Sequence, residues 1–120
     1  ERQLRETGPG ALVSVMLANN ETGVLQPVNA VTALARQYNA DVHCDAAQAA
    51  GRVPVDFASL GVEYLTAGLH KAGGPLGAGV LLASSLDPLS PLLWGGAQEF
   101  RRRAGTQNVP AIAGAGALFG

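Results

Sequence analysis

The sequence is short of cysteine, of aromatic residues and of net charge, and each shortage excludes something. Cys44 is the only cysteine in 120 residues. No internal disulfide framework can form, and one free thiol fits a reducing compartment, so the cytoplasm is the expected location. Aromatics make up 5% of the chain against 48% hydrophobic residues in total, with 16 glycines. That composition favours helices packed closely on a sheet through Ala, Val and Leu over an aromatic-rich β-sandwich. The net charge of −1 gives no electrostatic case for a nucleic-acid partner or an anionic membrane, and Arg101-Arg102-Arg103 is too short a basic run to change this. No apolar run reaches the roughly 20 residues that cross a bilayer. No signal peptide is read either, because Glu1 to Arg5 is expected to lead straight into a turn at Gly8-Pro9-Gly10. Metal ligation is not expected: His43, Cys44 and Asp45 are consecutive, and in a strand they alternate faces. Walker A and GxGxxG phosphate loops are missing as well.

The patterning that is present reads as one α/β domain. Leu12 to Leu17 is a short apolar, β-rich run that ends at Asn19-Asn20, as expected of a buried strand. Val28, Val31, Leu34, Ala35 and Tyr38 recur at helical spacing just after Pro27 and predict an amphipathic helix over Val28 to Tyr38. Asp41 to Cys44 is a second strand that ends at Asp45. Asp56 is placed to cap a short helix through Leu60, Glu63 to Ala67 is a third strand, and Gly79 to Ala83 a fourth. Pro88 to Gly96 reads as irregular, and a helical pattern returns at Val109. The sheet is expected to be mostly parallel, with flanking helices.

Parallel α/β sheets place ligands at the carboxyl ends of their strands. Asn19-Asn20, Asp45 and the His70-Lys71 turn each follow a predicted strand, so polar groups converge on one edge of the sheet. Their chemistry suits pyridoxal phosphate: an amine (Lys71) to hold an aldehyde as a Schiff base, a carboxylate (Asp45) to keep a ring nitrogen protonated, and Gln48 and His70 for the ring oxygen and the phosphate. Each residue also has a plainer role. Lys71 fits a solvated surface charge and Asp45 a helix N-cap over Ala46 to Ala50, with Gln48 completing a capping box. Asn20 fits a turn former, His43 a partly buried strand residue and Cys44 a small core hydrophobe. Arg101 to Arg103 fits a solvated run, or, with Thr106, a site for phosphate or carboxylate.

At these residues the chain resembles the central part of a cysteine desulfurase, in the aminotransferase class V group of fold-type I pyridoxal-phosphate enzymes. The stretches that carry the resemblance are Met16-Leu17-Ala18-Asn19-Asn20-Glu21-Thr22-Gly23, His43-Cys44-Asp45-Ala46-Ala47-Gln48, His70-Lys71 with Gly74-Pro75, Gly95 to Glu99, and Arg103 to Asn108. They occur in the family's order across almost the whole chain. The resemblance implies that residues 1–120 are part of the large cofactor domain. It also implies a role for each matching residue: Lys71 forms the Schiff base and shuttles protons, Asp45 pairs with the ring nitrogen, Gln48 contacts the ring oxygen, and Asn20 sits beside the cofactor and positions the substrate. His70 approaches the phosphate, and Thr106 reaches a phosphate across a homodimer interface. The implied reaction removes sulfur from L-cysteine, leaving L-alanine and an enzyme persulfide that passes to a sulfur-acceptor protein, as in iron–sulfur cluster assembly.

Two segments depart from the family pattern. Gly68 stands where many members place a phosphate-binding serine, and Phe100-Arg101 replaces the usual Arg-Gly after Gln98-Glu99. The family's ring-stacking aromatic and first phosphate turn are expected before Glu1, and its nucleophilic cysteine and substrate-carboxylate arginine after Gly120. Cys44 does not match that nucleophile's position. The chain alone is therefore expected not to turn over cysteine at a useful rate. Selenocysteine lyase shares these motifs, as do other class V enzymes. Readings of a different class are a non-catalytic α/β module that binds a phosphate-bearing ligand, and a structural fragment with no ligand.

Overall fold

The computed structural model describes residues 1–87 and 89–118. A four-stranded sheet is laid out in sequence order, β1 (Leu12–Met16), β2 (Asp41–Asp45), β3 (Tyr64–Gly68) and β4 (Gly79–Ala83). The first three strands are parallel, with Met16 opposite Asp45 and Asp45 opposite Thr66. β4 returns antiparallel to β3. The expected α/β architecture is the observed one, and strand boundaries differ from the sequence reading by at most a residue, with β4 matching it.

The two parallel crossovers carry helices. Between β1 and β2 lies α2 (Val28–Arg36), which ends two residues before the expected Tyr38 and buries Val28, Thr32 and Ala35. The Thr32 hydroxyl is satisfied inside the core by the Val28 carbonyl at 3.0 Å. Between β2 and β3 lies α3 (Phe57–Leu60). Asp56 caps it as expected, its carboxylate accepting from the backbone N–H groups of Ala58 and Ser59.

Alternation along the strands sends Val42, Cys44, Leu65 and Ala67 to the face covered by α2, where they meet Leu17, Ala40, Ala46, Ala49 and Val62. The abundance of alanine at these positions lets helix and sheet backbones approach closely. Cys44 is fully buried there, as its reading as a core hydrophobe requires. The opposite face carries Leu12, His43, Tyr64, Thr66 and Leu81, which line an open groove of about 380 Å³.

Three local expectations need correction or completion. Residues 2–7 form a helix, α1 (Arg2–Thr7), where a lead into a turn was expected. The i,i+4 pairs Glu1–Arg5 and Arg2–Glu6 stabilise it, and Tyr38 ties it to the body by accepting from Arg5 and donating to Glu1. The region after Asp45 is a run of turns, not a helix over Ala46 to Ala50. The irregular stretch expected from Pro88 begins at a residue outside those described, and 89–97 has no regular element. It leads into one turn, α4 (Gln98–Arg101), then to α5 (Val109–Gly116), capped by the Asn108 side chain. Phe119 and Gly120, which continue the helical pattern in the sequence, lie outside the described residues.

Candidate functional site

The parallel strands β1, β2 and β3 finish at the same edge of the sheet, and the chain turns there three times. After β1, the Asn19 side chain organises the first turn: its oxygen accepts from the N–H groups of Glu21 and Thr22, both at 2.9 Å, and from the Thr22 hydroxyl at 3.1 Å. Turn formation therefore belongs to Asn19. Asn20 is left exposed, and among the described residues its amide donates only to the Glu21 carboxylate, at 2.7 Å.

After β2, the Asp45 carboxylate accepts from the Ala47 N–H at 2.9 Å and shapes the second turn. One such bond occupies part of a group with four acceptor positions, so Asp45 retains acceptor capacity. Gln48 does not complete a capping box. Its side-chain oxygen instead accepts from Arg52 Nη1 at 2.7 Å. Asn20, Gln48 and Arg52 line a common cavity of about 300 Å³ with Ala18, Asn19, Gly23, Leu25 and Val53.

After β3, a short 3-10 helix over Leu69–Ala72 holds His70 and Lys71, both exposed. The His70 ring lies over Gly68, whose added Cβ would stand 3.5 Å from His70 Cε1 and 3.9 Å from the Ala47 Cβ. His70 thus sits beside the Asp45 turn. Lys71 is joined to that turn through its carbonyl, which accepts from Arg52 Nη2 at 3.1 Å.

Arg52 is the residue that sequence reading missed. Its signal was its spacing, four residues after Gln48, which in a helical turn brings two side chains together. Thr106 shares no hydrogen bond with this group among the described residues. It lies exposed in the loop before α5, where Arg103 Nη1 donates to the carbonyls of Gly105 at 2.7 Å and Thr106 at 3.5 Å. Arg103 therefore braces its own loop through Nη1. Among the described residues, no cluster of three metal-ligating side chains occurs.

His43 carries a second polar feature, two residues before Asp45 on the same strand face. Its Nδ1 lies 2.8 Å from the Ser14 hydroxyl on β1 and its Nε2 lies 2.9 Å from the Thr66 hydroxyl on β3. This polar row crosses the three parallel strands next to the site. The Cys44 thiol, on the opposite face, has its pKa raised by burial and by the neighbouring Asp45 charge, which keeps it in the unreactive neutral form.

The chain is similar to known proteins. Residues 5–120 match the family model for aminotransferase class-V. A cysteine desulfurase of Klebsiella pneumoniae is 47% identical over 107 residues, covering 89% of this chain and 27% of that protein. The structure of a NifS-like protein from Rickettsia africae superposes with a TM-score of 0.87 at 41% identity, over 91% of this chain and 30% of that one. SspA in complex with cysteine gives a TM-score of 0.87 at 31% identity, over 98% of this chain and 35% of that one. The chain thus spans 27% of the length of the curated relative. With the motifs, the strand order and the family match in agreement, this chain belongs to the class-V aminotransferase family.

Proposed function

We propose that this chain supplies the strand-end half of a pyridoxal-phosphate site, and that the protein it serves is a cysteine desulfurase acting on L-cysteine. The observation that carries the reading is the convergence of Asn20, Asp45, Gln48, His70 and Lys71 on the carboxyl ends of three adjacent parallel strands, with Arg52 linking the second turn to the third. The names of the Klebsiella relative and of the cysteine complex of SspA support the choice of substrate.

The donor set fits the cofactor. A primary amine, a carboxylate with spare acceptor capacity, an amide and an imidazole stand on neighbouring turns, and each matches one function of the cofactor. When bound, pyridoxal phosphate supplies an aldehyde for an amine and a ring that withdraws electrons from the carbon beside the substrate amino group. Lys71 provides that amine and a group able to move a proton. Asp45 holds a proton on the ring nitrogen, Gln48 donates to the ring oxygen and Asn20 positions the substrate. His70 approaches the phosphate, and the exposure of Thr106 agrees with a role toward the second subunit of a homodimer. A sulfur-acceptor protein would take up the sulfur from the reaction.

The test is an absorbance spectrum of the chain after addition of pyridoxal phosphate and desalting, beside Lys71→Ala. A near-ultraviolet-to-visible band that survives desalting, is fixed by borohydride and is lost in Lys71→Ala is expected. An equal band in Lys71→Ala would assign the amine elsewhere and overturn the role of Lys71.

A further inference from the structure

The Arg52 guanidinium is a donor-only group. It can pair with Gln48 only through the amide oxygen, and it does so at 2.7 Å. The Gln48 amide is therefore held in one sense: its oxygen is engaged on the Arg52 side, and its –NH2 makes no hydrogen bond among the described residues. The same guanidinium donates to the Lys71 carbonyl at 3.1 Å. Gly51, the preceding residue, lets the backbone come this close, because a Cβ there would stand 2.7 Å from the Ala72 Cβ. Hydrogen bonding and packing thus join the same two turns independently.

We propose that Arg52 is a positioning residue that sets the polarity of Gln48, so that the cavity shared with Asn20 presents a hydrogen-bond donor, and that it ties this donor to the Lys71 turn. A cavity arranged in this way selects a ligand carrying an anionic or strongly accepting oxygen at that point and disfavours one that offers a donor or nothing there. The inference rests on the pyridoxal-phosphate reading, in which the selected atom is the ring oxygen. Without Arg52 the amide is free to rotate by half a turn, and the discrimination is lost even though Gln48 is still present.

The experiment compares binding of pyridoxal phosphate with binding of the analogue lacking the ring hydroxyl. The proteins are the wild-type chain, Arg52→Ala, Arg52→Lys and Gln48→Glu, each first shown by circular dichroism to be folded. The wild type is expected to prefer the hydroxylated form by about tenfold, the size of one hydrogen bond to a charged acceptor. Arg52→Ala should bind both forms with little preference, and Arg52→Lys, which keeps a donor, should recover part of it. Gln48→Glu retains a partner for Arg52 but offers only oxygens to the cavity, so it too should lose the preference. A preference that persists in Arg52→Ala, or a wild type that binds both forms equally, overturns the role of Arg52 and leaves the cofactor reading standing. A wild type that binds neither form overturns both.

Discussion

Gly51 lies against Ala72 so closely that a Cβ added to Gly51 would stand 2.7 Å from the Ala72 Cβ. The contact joins the turn after Asp45 to the turn that carries Lys71, so backbone packing, alongside the Arg52 bond to the Lys71 carbonyl, holds these two turns together. Gly51 also has φ +74°, a conformation that L side chains adopt at a cost. Gly51→Ala is expected to destabilise the fold by about 1–2 kcal/mol and to lower cofactor retention. Urea denaturation together with the desalting assay checks this; unchanged stability would mean that the two turns are free to part.

The His43 imidazole spans Ser14 on β1 and Thr66 on β3, with one ring nitrogen for each hydroxyl. His43→Ala removes both bonds beside the Asp45 strand end. A loss of about 1–2 kcal/mol is expected, since each net hydrogen bond contributes about 0.5–1.5 kcal/mol. The double variant Ser14→Ala/Thr66→Val should show most of this loss, and adding His43→Ala to it should cost little more. Fully additive losses would show that the row does not act as a unit.

Arg101 has φ +67° and follows Glu99 at +48° and Phe100 at +55°, three consecutive non-glycine residues in left-handed backbone. The family resemblance places glycine at the position of Arg101. Arg101→Gly is therefore expected to raise stability by about 1 kcal/mol, the ordinary cost of holding an L side chain in that region. Thermal unfolding reads the change, and a lower melting temperature would mean that the Arg101 side chain contributes more than its backbone costs.

The Cys44 thiol is held above its ordinary pKa by burial and by Asp45. The folded state therefore keeps this proton at pH values where the unfolded chain releases it. The slope relation gives stability that is complete below the unfolded thiol pKa and falls as pH rises from there toward the folded pKa. Wild type should lose more stability than Cys44→Ala between pH 7 and pH 10, roughly the span across an ordinary thiol pKa. Native thiol titration at pH 7 should also be slow. A Cys44 that reacts as fast as a free thiol would contradict the burial argument.

Much of the framework was readable from short-range pattern. β-rich runs marked all four strands, Pro27 and the 3.6 spacing marked α2, and Asp56 marked the cap of α3. Placement of Asn20, Asp45, Gln48, His70 and Lys71 at strand ends also followed from pattern, because a polar residue that closes an apolar run must emerge where the strand does. The helix α1 was missed because its Glu1–Arg5 and Arg2–Glu6 pairs stabilise a segment with little apolar periodicity. Neighbouring asparagines could not be told apart until the turn was closed, when Asn19 took the backbone bonds and left Asn20 exposed.

The sequence by itself determined the α/β class, the edge of the sheet that collects polar groups and the family motifs. Each of these depends on residue types at separations of a few positions. Tertiary structure alone decided the partners. That Arg52 takes the carbonyl of Lys71, that His43 stands between Ser14 and Thr66, and that β4 runs antiparallel all depend on register and on which turns touch. The physical reason is that a side chain's polar partner is chosen among every group the packed backbone brings within hydrogen-bond reach. Here that set includes groups 19 to 29 residues apart in the chain, which no local period encodes.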